Sequence, residues 1–292
     1  MSLGQPLEAV LGRPLLRGIL TGLNEAFYLQ TPQRNAMVNA DPSCESLFKR
    51  FLRGRDIKRW RPEWANQWHI VIPSSQNRTW PWSQCPDETE AEAIFSHTYP
   101  YVHNHLKRFE EALRQRQDKG AFWWELRSCD YYSDFEKSKI VIQCIAYYSR
   151  FALDSDANYI NNKAIVIPTD DLYVLGVLNS RVSWWIINRT FLHMKDDGLS
   201  IDVQFLKKLP IPNPPQQLRT EIENVVKEIL EKISCPLYGE SIGQLELQLN
   251  DLAVRAFELS AAQHDVILGS LPPRDPISEL RREGSLQKVA AQ

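Results

Sequence analysis

Four prolines (Pro210, Pro212, Pro214 and Pro215) fall within the eleven residues Phe205-Leu-Lys-Lys-Leu-Pro-Ile-Pro-Asn-Pro-Pro215. Proline fixes φ and lacks a backbone N–H, so regular structure is not expected to run through such a stretch. The segment therefore divides the chain into a front part and a rear part. In front lie short β-type runs. Lys139–Ala146 (Lys-Ile-Val-Ile-Gln-Cys-Ile-Ala) reads as a buried strand. Residues 150–154 and 163–167 read as two more, joined by a turn-prone loop over Asn158–Asn162. Residues 17–29 read as strand, turn, strand, with Gly18, Gly22 and Asn24 in the turn and Ile19/Leu20 and Ala26–Leu29 as its flanks. His69–Ile72 is strand-like and ends at Pro73.

Two helices interrupt these strands. One spans Tyr101–Gln117, with Val102, Leu106, Phe109 and Leu113 on one face, and stops at Gly120. The other runs from Asp171 to Asn188, capped by Thr169 and Asp170, with Leu172, Leu175, Leu178, Val182 and Ile186 on its face. Behind the prolines the period is helical throughout. Leu218, Ile222, Val225 and Ile229 mark a helix over Gln216–Ile233. After a Pro236/Gly239 break, Leu245, Leu249, Leu252 and Ala256 mark a second over Gln244–Leu259. The pair forms a helical hairpin whose apolar stripes need a partner surface. The expected fold is α+β. A recognition-type domain with a mixed or antiparallel sheet covers 1–212, a helical appendage covers 213–268, and a polar, disordered tail covers 269–292.

The strongest functional signal is basic. Residues 49–61 carry Lys49, Arg50, Arg53, Arg55, Lys58, Arg59 and Arg61 against the single acid Asp56. Phe51, Leu52, Ile57 and Trp60 interleave with them, so the segment can anchor in a core while cations face outward. Clustered cations meet phosphates well, because each contact adds Coulomb attraction and releases a counterion. Gly54 suggests a turn that splays the flanking arginines. A solvated charged face is the competing reading. The overall formal charge of −2 hides an asymmetry. Residues 1–85 carry eleven Lys/Arg and six Asp/Glu, a balance of +5; residues 213–292 carry eight against twelve, a balance of −4. A basic front and an acidic rear fit one nucleic-acid surface and a separate structural segment. Trp64, Trp68, Trp80 and Trp82 follow Trp60 closely; dense tryptophan reads first as packing and second as a base-stacking platform.

Several function classes are excluded or weakened. No apolar run reaches the ~20 residues of a membrane span, and the N-terminus lacks the pattern of a secretory signal. Cys44, Cys85, Cys129, Cys144 and Cys235 are scattered and never in Cys-x-x-Cys spacing, so neither a disulfide framework nor a zinc site is expected, and a reducing cytoplasm is the natural location. The chain contains no Gly-x-Gly, hence no dinucleotide fingerprint or P-loop. Asp41, Asp56 and Lys58 loosely match a metal-nuclease pattern, but Asp56 more naturally fixes a neighbouring arginine. His103-Asn104-His105 sits on a helix where residues two apart face different ways, so a metal site with His97 is not expected.

The order of several motifs adds a family resemblance. Gly18-Ile-Leu-Thr-Gly-Leu-Asn-Glu-Ala-Phe27, Arg53-Gly-Arg-Asp-Ile-Lys-Arg-Trp60, Trp124-Glu-Leu-Arg127, Lys139-Ile-Val, Asn161-Asn162, Leu172-Tyr-Val-Leu-Gly-Val-Leu-Asn-Ser180 and Leu206-Lys-Lys-Leu-Pro-Ile-Pro212 succeed one another. The series resembles the TaqI-like C-terminal specificity domain of adenine-specific DNA methyltransferases and type IIG restriction–modification enzymes. Gln244-Leu-Glu-Leu-Gln-Leu-Asn-Asp-Leu-Ala-Val254 is similar to the helix that follows it.

The resemblance implies a bacterial target recognition domain that reads double-stranded DNA. Its partner would be a methyltransferase or endonuclease part, in cis or in trans, that uses S-adenosylmethionine and, for cleavage, Mg²⁺. This chain is expected to hold no cofactor and no catalytic residue. The methyltransferase signature survives only as Asn213-Pro214-Pro215-Gln216, where Gln216 cannot stack on a flipped base. By chemistry, Arg suits guanine and Asn suits adenine. The candidate DNA-contacting residues are Arg17, Thr21, Asn24, Arg53, Arg55, Lys58, Arg59, Arg78, Asn161, Asn162 and Lys163. The alternatives are a nuclease fragment using Asp41, Asp56 and Lys58, or a protein-interaction subunit that docks on a methyltransferase.

Overall fold

A computed structural model describes residues 3–234, 242–272 and 274 of the chain. Its centre is a four-stranded antiparallel sheet of Leu16–Arg17, Ala164–Ile167, Lys139–Gln143 and Ala152–Asp154, in that spatial order. Successive side chains of a strand point to opposite faces, and here both faces are covered. Ile140, Ile142, Ile165 and Ile167 enter one hydrophobic core, whereas Val141, Ala152, Ala164 and Val166 enter the other. Double burial explains why the Lys139 run is apolar without alternation. Lys139 itself is buried, and its ammonium donates to Asp154 (2.6 Å) and to the Phe135 carbonyl (2.7 Å).

The first core includes the rear helices. Leu172–Asn179 and Arg181–Thr190 replace the single expected helix, because the Ser180 hydroxyl caps a new start at Ser183 N–H (3.2 Å). The first of the pair is capped by Asp171, whose carboxylate accepts from Tyr173 and Val174 N–H, rather than by Thr169 or Asp170. Gln216–Ser234 and Gly243–Ala256 pack on each other and on Leu172–Asn179. Gly176 makes the contact close: a Cβ there would lie 2.8 Å from a Val226 methyl and 3.0 Å from one of Ile222. The partner surface that the stripes require is thus supplied by this same chain. The proline segment closes the front part with a two-residue strand, Pro210–Ile211, paired antiparallel with Gln5–Pro6.

The second core lies under another four-stranded sheet, ordered Tyr28–Gln30, Gln67–Ile70, Phe48–Leu52 and Tyr159–Ile160, the last pair parallel. Tyr159–Ile160 falls in the stretch expected to be a loop; the Phe48–Leu52 edge recruits it. Ala26–Leu29 is also not wholly strand, since Asn24–Phe27 forms a helical turn before Tyr28. The Tyr101–Gln117 helix divides into Pro100–Lys107 and Glu110–Gln115, and a further helix, Glu88–Thr98, precedes it. Helix Ala261–Gly269 ends near the start of the expected tail, of which residues 275–292 lie outside the described residues.

Trp60, Trp80, Trp82, Trp123 and Trp124 are core. Trp60 takes a left-handed φ of 74°, held by backbone hydrogen bonds to Phe151 and from Leu153. Trp64 and Trp68 are half-buried, and their faces carry the Arg50 and Arg34 guanidiniums at 4.3 and 4.6 Å. One face of each of these rings is therefore covered by a guanidinium.

Candidate nucleic-acid interface

One end of the central sheet gathers polar residues from distant parts of the sequence. Strand Leu16–Arg17 delivers Arg17 and Gly18 there, and Ile19 continues as a parallel bridge to Asn161. Gly18 is required by close approach: a Cβ would fall on the Asn161 carbonyl. Asn161 Oδ1 accepts the Lys163 N–H (3.1 Å), fixing the 161–163 turn. The Gly54 turn packs against the Lys163 carbonyl and the Gln143 side chain. Arg17, Arg53, Arg55, Asn161, Asn162 and Lys163 therefore share one surface.

Their electrostatics differ. Arg17 is exposed and paired with Asp202 at 3.3 Å. Arg53 is tied down by Asp56, whose carboxylate accepts from its backbone N–H (2.8 Å), Nε (2.9 Å) and Nη2 (2.8 Å). Asp56 thus fixes an arginine, as its sequence context suggests, and both its oxygens are taken. Arg55 and Lys163 are exposed, and neither has an ion-pair partner among the described residues. Cys144 lies beneath them; burial pushes its thiol up, and Arg17 and Lys163 pull it the other way.

The surface opens into two cavities. The first, about 490 Å³, is lined by Arg17, Arg127, Asn162 and Tyr131; the second, about 520 Å³, by Lys49, Gln76, Asn77 and Arg78. Both include Cys129, Asp130 and Tyr132, so they meet along the 127–133 segment. Arg78 is exposed, lies over Trp80 at 4.2 Å and has no ion-pair partner among the described residues. Lys49 pairs with Glu136 at 2.8 Å, which holds that carboxyl below its usual range. Next to this surface, strands Leu192–His193 and Leu199–Ser200 form a hairpin that pairs with Ile145–Ala146, presenting exposed Leu192, Met194 and Ile145.

Three candidates depart from expectation. Arg59 is buried: its guanidinium donates to Glu246 (2.8 Å), the Ser149 carbonyl (2.7 Å) and Asn179 (3.0 Å), so it cannot reach a duplex. The alternation with Phe51, Leu52, Ile57 and Trp60 gave no sign that this one arginine points inward. Thr21 is also buried and donates to Asn24 Oδ1 (2.7 Å), leaving Asn24 exposed but engaged as a turn residue. Lys58 is half-exposed and does not line either cavity. Conversely, Arg127, Asn77, Gln76, Lys49 and the 192–200 hairpin were not among the candidates. Two of them had a signal: Lys49 as the first cation of the 49–61 stretch, and Arg127 as the last residue of Trp-Glu-Leu-Arg. The histidines are accounted for locally: His103 meets Glu92 (3.0 Å) and His105 the Ala26 carbonyl (2.9 Å). Among the described residues no helix is long and apolar enough to cross a membrane.

Residues 49–211 match the family of the TaqI-like C-terminal specificity domain. No curated protein matches the chain. Among solved structures it is similar to the type IIL restriction-modification enzyme MmeI in complex with DNA, at 15% identity and a TM-score of 0.58, over 96% of this chain and 36% of that one. It is also similar to the type IIG restriction endonuclease BpuSI, at 13% identity and a TM-score of 0.42, over 87% of this chain and 32% of that one. The chain thus spans about a third of the length of each. The MmeI likeness is one of fold.

Proposed function

The chain belongs to the TaqI-like C-terminal specificity domain family, and from that premise we propose that it recognises double-stranded DNA as the specificity module of a type IIG-like adenine-N6 methyltransferase. The observation that carries this reading is that Arg17, Asn162, Arg127 and Arg78 line two cavities sharing Cys129, Asp130 and Tyr132, with the Arg53–Arg55 turn packed against Lys163 beside Asn161 and Asn162. Exposed cations without carboxylate partners, such as Arg55, Lys163 and Arg78, are free to exchange counterions for phosphates. Asn162 and Arg127, which line the first cavity, are of the side-chain types that pair with base edges, although Arg127 also pairs with Asp118 at 3.3 Å. Binding of this kind fixes register through phosphates and sequence through bases.

Methyl transfer, and cleavage where it occurs, belong on this reading to a catalytic part in cis or in trans, which would hold S-adenosylmethionine and Mg²⁺. Gln216 opens helix Gln216–Ser234 instead of presenting an aromatic ring, which supports that division. A bacterial cytoplasm is the setting this role implies. An apolar cavity of about 390 Å³ lies between helices Arg181–Thr190 and Ala261–Gly269, lined by Val182, Trp185, Ile186, Leu259 and Val266.

The test is a fluorescence-anisotropy titration with random-sequence duplex at low and moderate salt, comparing wild type with Arg55→Ala/Lys163→Ala. Salt-sensitive binding that weakens in the variant supports duplex recognition. Absence of binding by the folded wild type at low salt rules out autonomous recognition.

A further inference from the structure

The walls of the groove come from segments 17–20, 73–78 and 127–133, which are far apart in sequence; hydrogen bonds tie the second to Glu125 directly, the residue after the first to it through Arg116, and the third to the second through Asn77. Glu125 is wholly buried. Its carboxylate accepts from the Ser75 N–H (3.0 Å), the Ser75 hydroxyl (2.5 Å) and Trp82 Nε1 (3.0 Å). It also accepts from the N–H groups of Ala121 (2.9 Å) and Phe122 (3.4 Å). The backbone carbonyl of the same residue accepts from Arg116, whose guanidinium donates as well to the carbonyls of Thr21 (2.5 Å) and Trp123 (2.9 Å). The side chain therefore holds the wall that carries Gln76, Asn77 and Arg78. Through Arg116, the carbonyl holds the segment that follows Arg17. A second stitch lies at the junction of the cavities, where Asn77 accepts from the Cys129 N–H (2.8 Å) and donates to Asp130 (3.1 Å).

A carboxylate removed from water is costly unless donors compensate it, and both oxygens of Glu125 are engaged. Even its neighbour is shaped to it: a Cβ on Gly120 would lie 2.6 Å from both Cβ and Oε2 of Glu125. Loops that must be ordered at the moment of binding cost affinity, and loops braced beforehand do not.

We propose that Glu125 is a positioning residue for duplex recognition, presetting the 73–78 and 127–133 walls without touching DNA. The proposal rests on the groove being the DNA surface.

The test compares the full-length wild type with Glu125→Gln, Gly120→Ala and Ser75→Ala. Affinity for random-sequence duplex is read at low salt, at a temperature where circular dichroism shows each variant folded, together with amide hydrogen exchange. Gly120→Ala keeps the carboxylate and displaces it; Ser75→Ala removes one tie. Binding weaker by about tenfold is expected for Glu125→Gln and Gly120→Ala and by about threefold for Ser75→Ala. Faster exchange is expected in 73–78 and 121–130 but not in 139–143 or 164–167. Unchanged affinity in the folded variants, or exchange that rises uniformly over the chain, overturns the proposal and leaves the DNA reading standing. If Glu125→Gln fails to fold, Ser75→Ala decides, and wild-type affinity there overturns it. A wild type that does not bind duplex at low salt rules out autonomous recognition and, with it, this proposal.

Discussion

Arg59 and Glu246, 187 residues apart, form an ion pair of 2.8 Å in which neither side chain is more than 1% exposed. Trp60 Nε1 donates to the same carboxylate oxygen at 2.6 Å. The pair joins the basic front segment to the rear helix Gly243–Ala256. Removing one partner strands the other charge in the core, which costs roughly 3–5 kcal/mol. Glu246→Ala is therefore expected to lower unfolding free energy by about that amount in urea titrations. Duplex affinity of the folded variant should stay at the wild-type level. A stability loss below about 1 kcal/mol would contradict the assignment.

Arg55 and Lys163 are the exposed cations of the 53–55 and 161–163 turns. Each phosphate contact contributes close to one unit to the salt dependence of binding. Single alanine substitutions should flatten the log–log salt slope by about one and weaken binding across sequences uniformly. Circular dichroism melts should be unmoved within about 0.5 kcal/mol, as for surface sites. A steep slope retained in both variants would place the phosphates elsewhere.

Gly18 meets the Asn161 carbonyl backbone to backbone, where neither side can move away like a flexible side chain. Gly18→Ala is expected to destabilise by roughly 1–3 kcal/mol, in the range of overpacked sites. It should also shift the 161–163 turn, so affinity falls further than the loss of folded protein explains. Wild-type melting would refute the close approach.

His69 is fully buried against Phe27, Tyr28 and Phe51, and neither ring nitrogen has a partner. Burial pushes its pKa down to about 3 from an ordinary 6.5. Below pH 6.5 the unfolded chain takes up a proton that the folded chain refuses, so stability is full above 6.5 and falls as pH drops toward 3. The expected slope is about 1.4 kcal/mol per pH unit from this one group. His69→Phe should remove that component; an unchanged acid profile of the variant would show that other groups govern it.

Strand and helix character were legible in the sequence wherever burial follows a simple period. The 216–233 and 244–259 stripes lie where their apolar residues place them, because periodicity encodes which face is hidden, and the Lys139 run, apolar without alternation, lies buried on both faces. Turn residues were legible for the same local reason: Gly54 and Asn161 stand where the backbone must reverse, and Asp56 fixes Arg53 from three residues away. The helix breaks at Ser180 and after Lys107 were less visible: the first depends on one cap competing with continued propensity, and the second has no side-chain cap to mark it.

Which of the five arginines in the 49–61 stretch turns inward was not legible. Arg59 and Arg55 look alike in sequence, and only the arrival of Glu246 and Asn179 from distant helices makes burial of one guanidinium tolerable. The second groove wall was hidden likewise, because Ser75 and Asn77 acquire their place through Glu125 and Cys129, some fifty residues away. The sequence by itself determined the elements, the family and the charge asymmetry, all of which are local or additive properties. The tertiary structure decided which charges reach solvent, because desolvation is tolerated only where partners from remote segments converge.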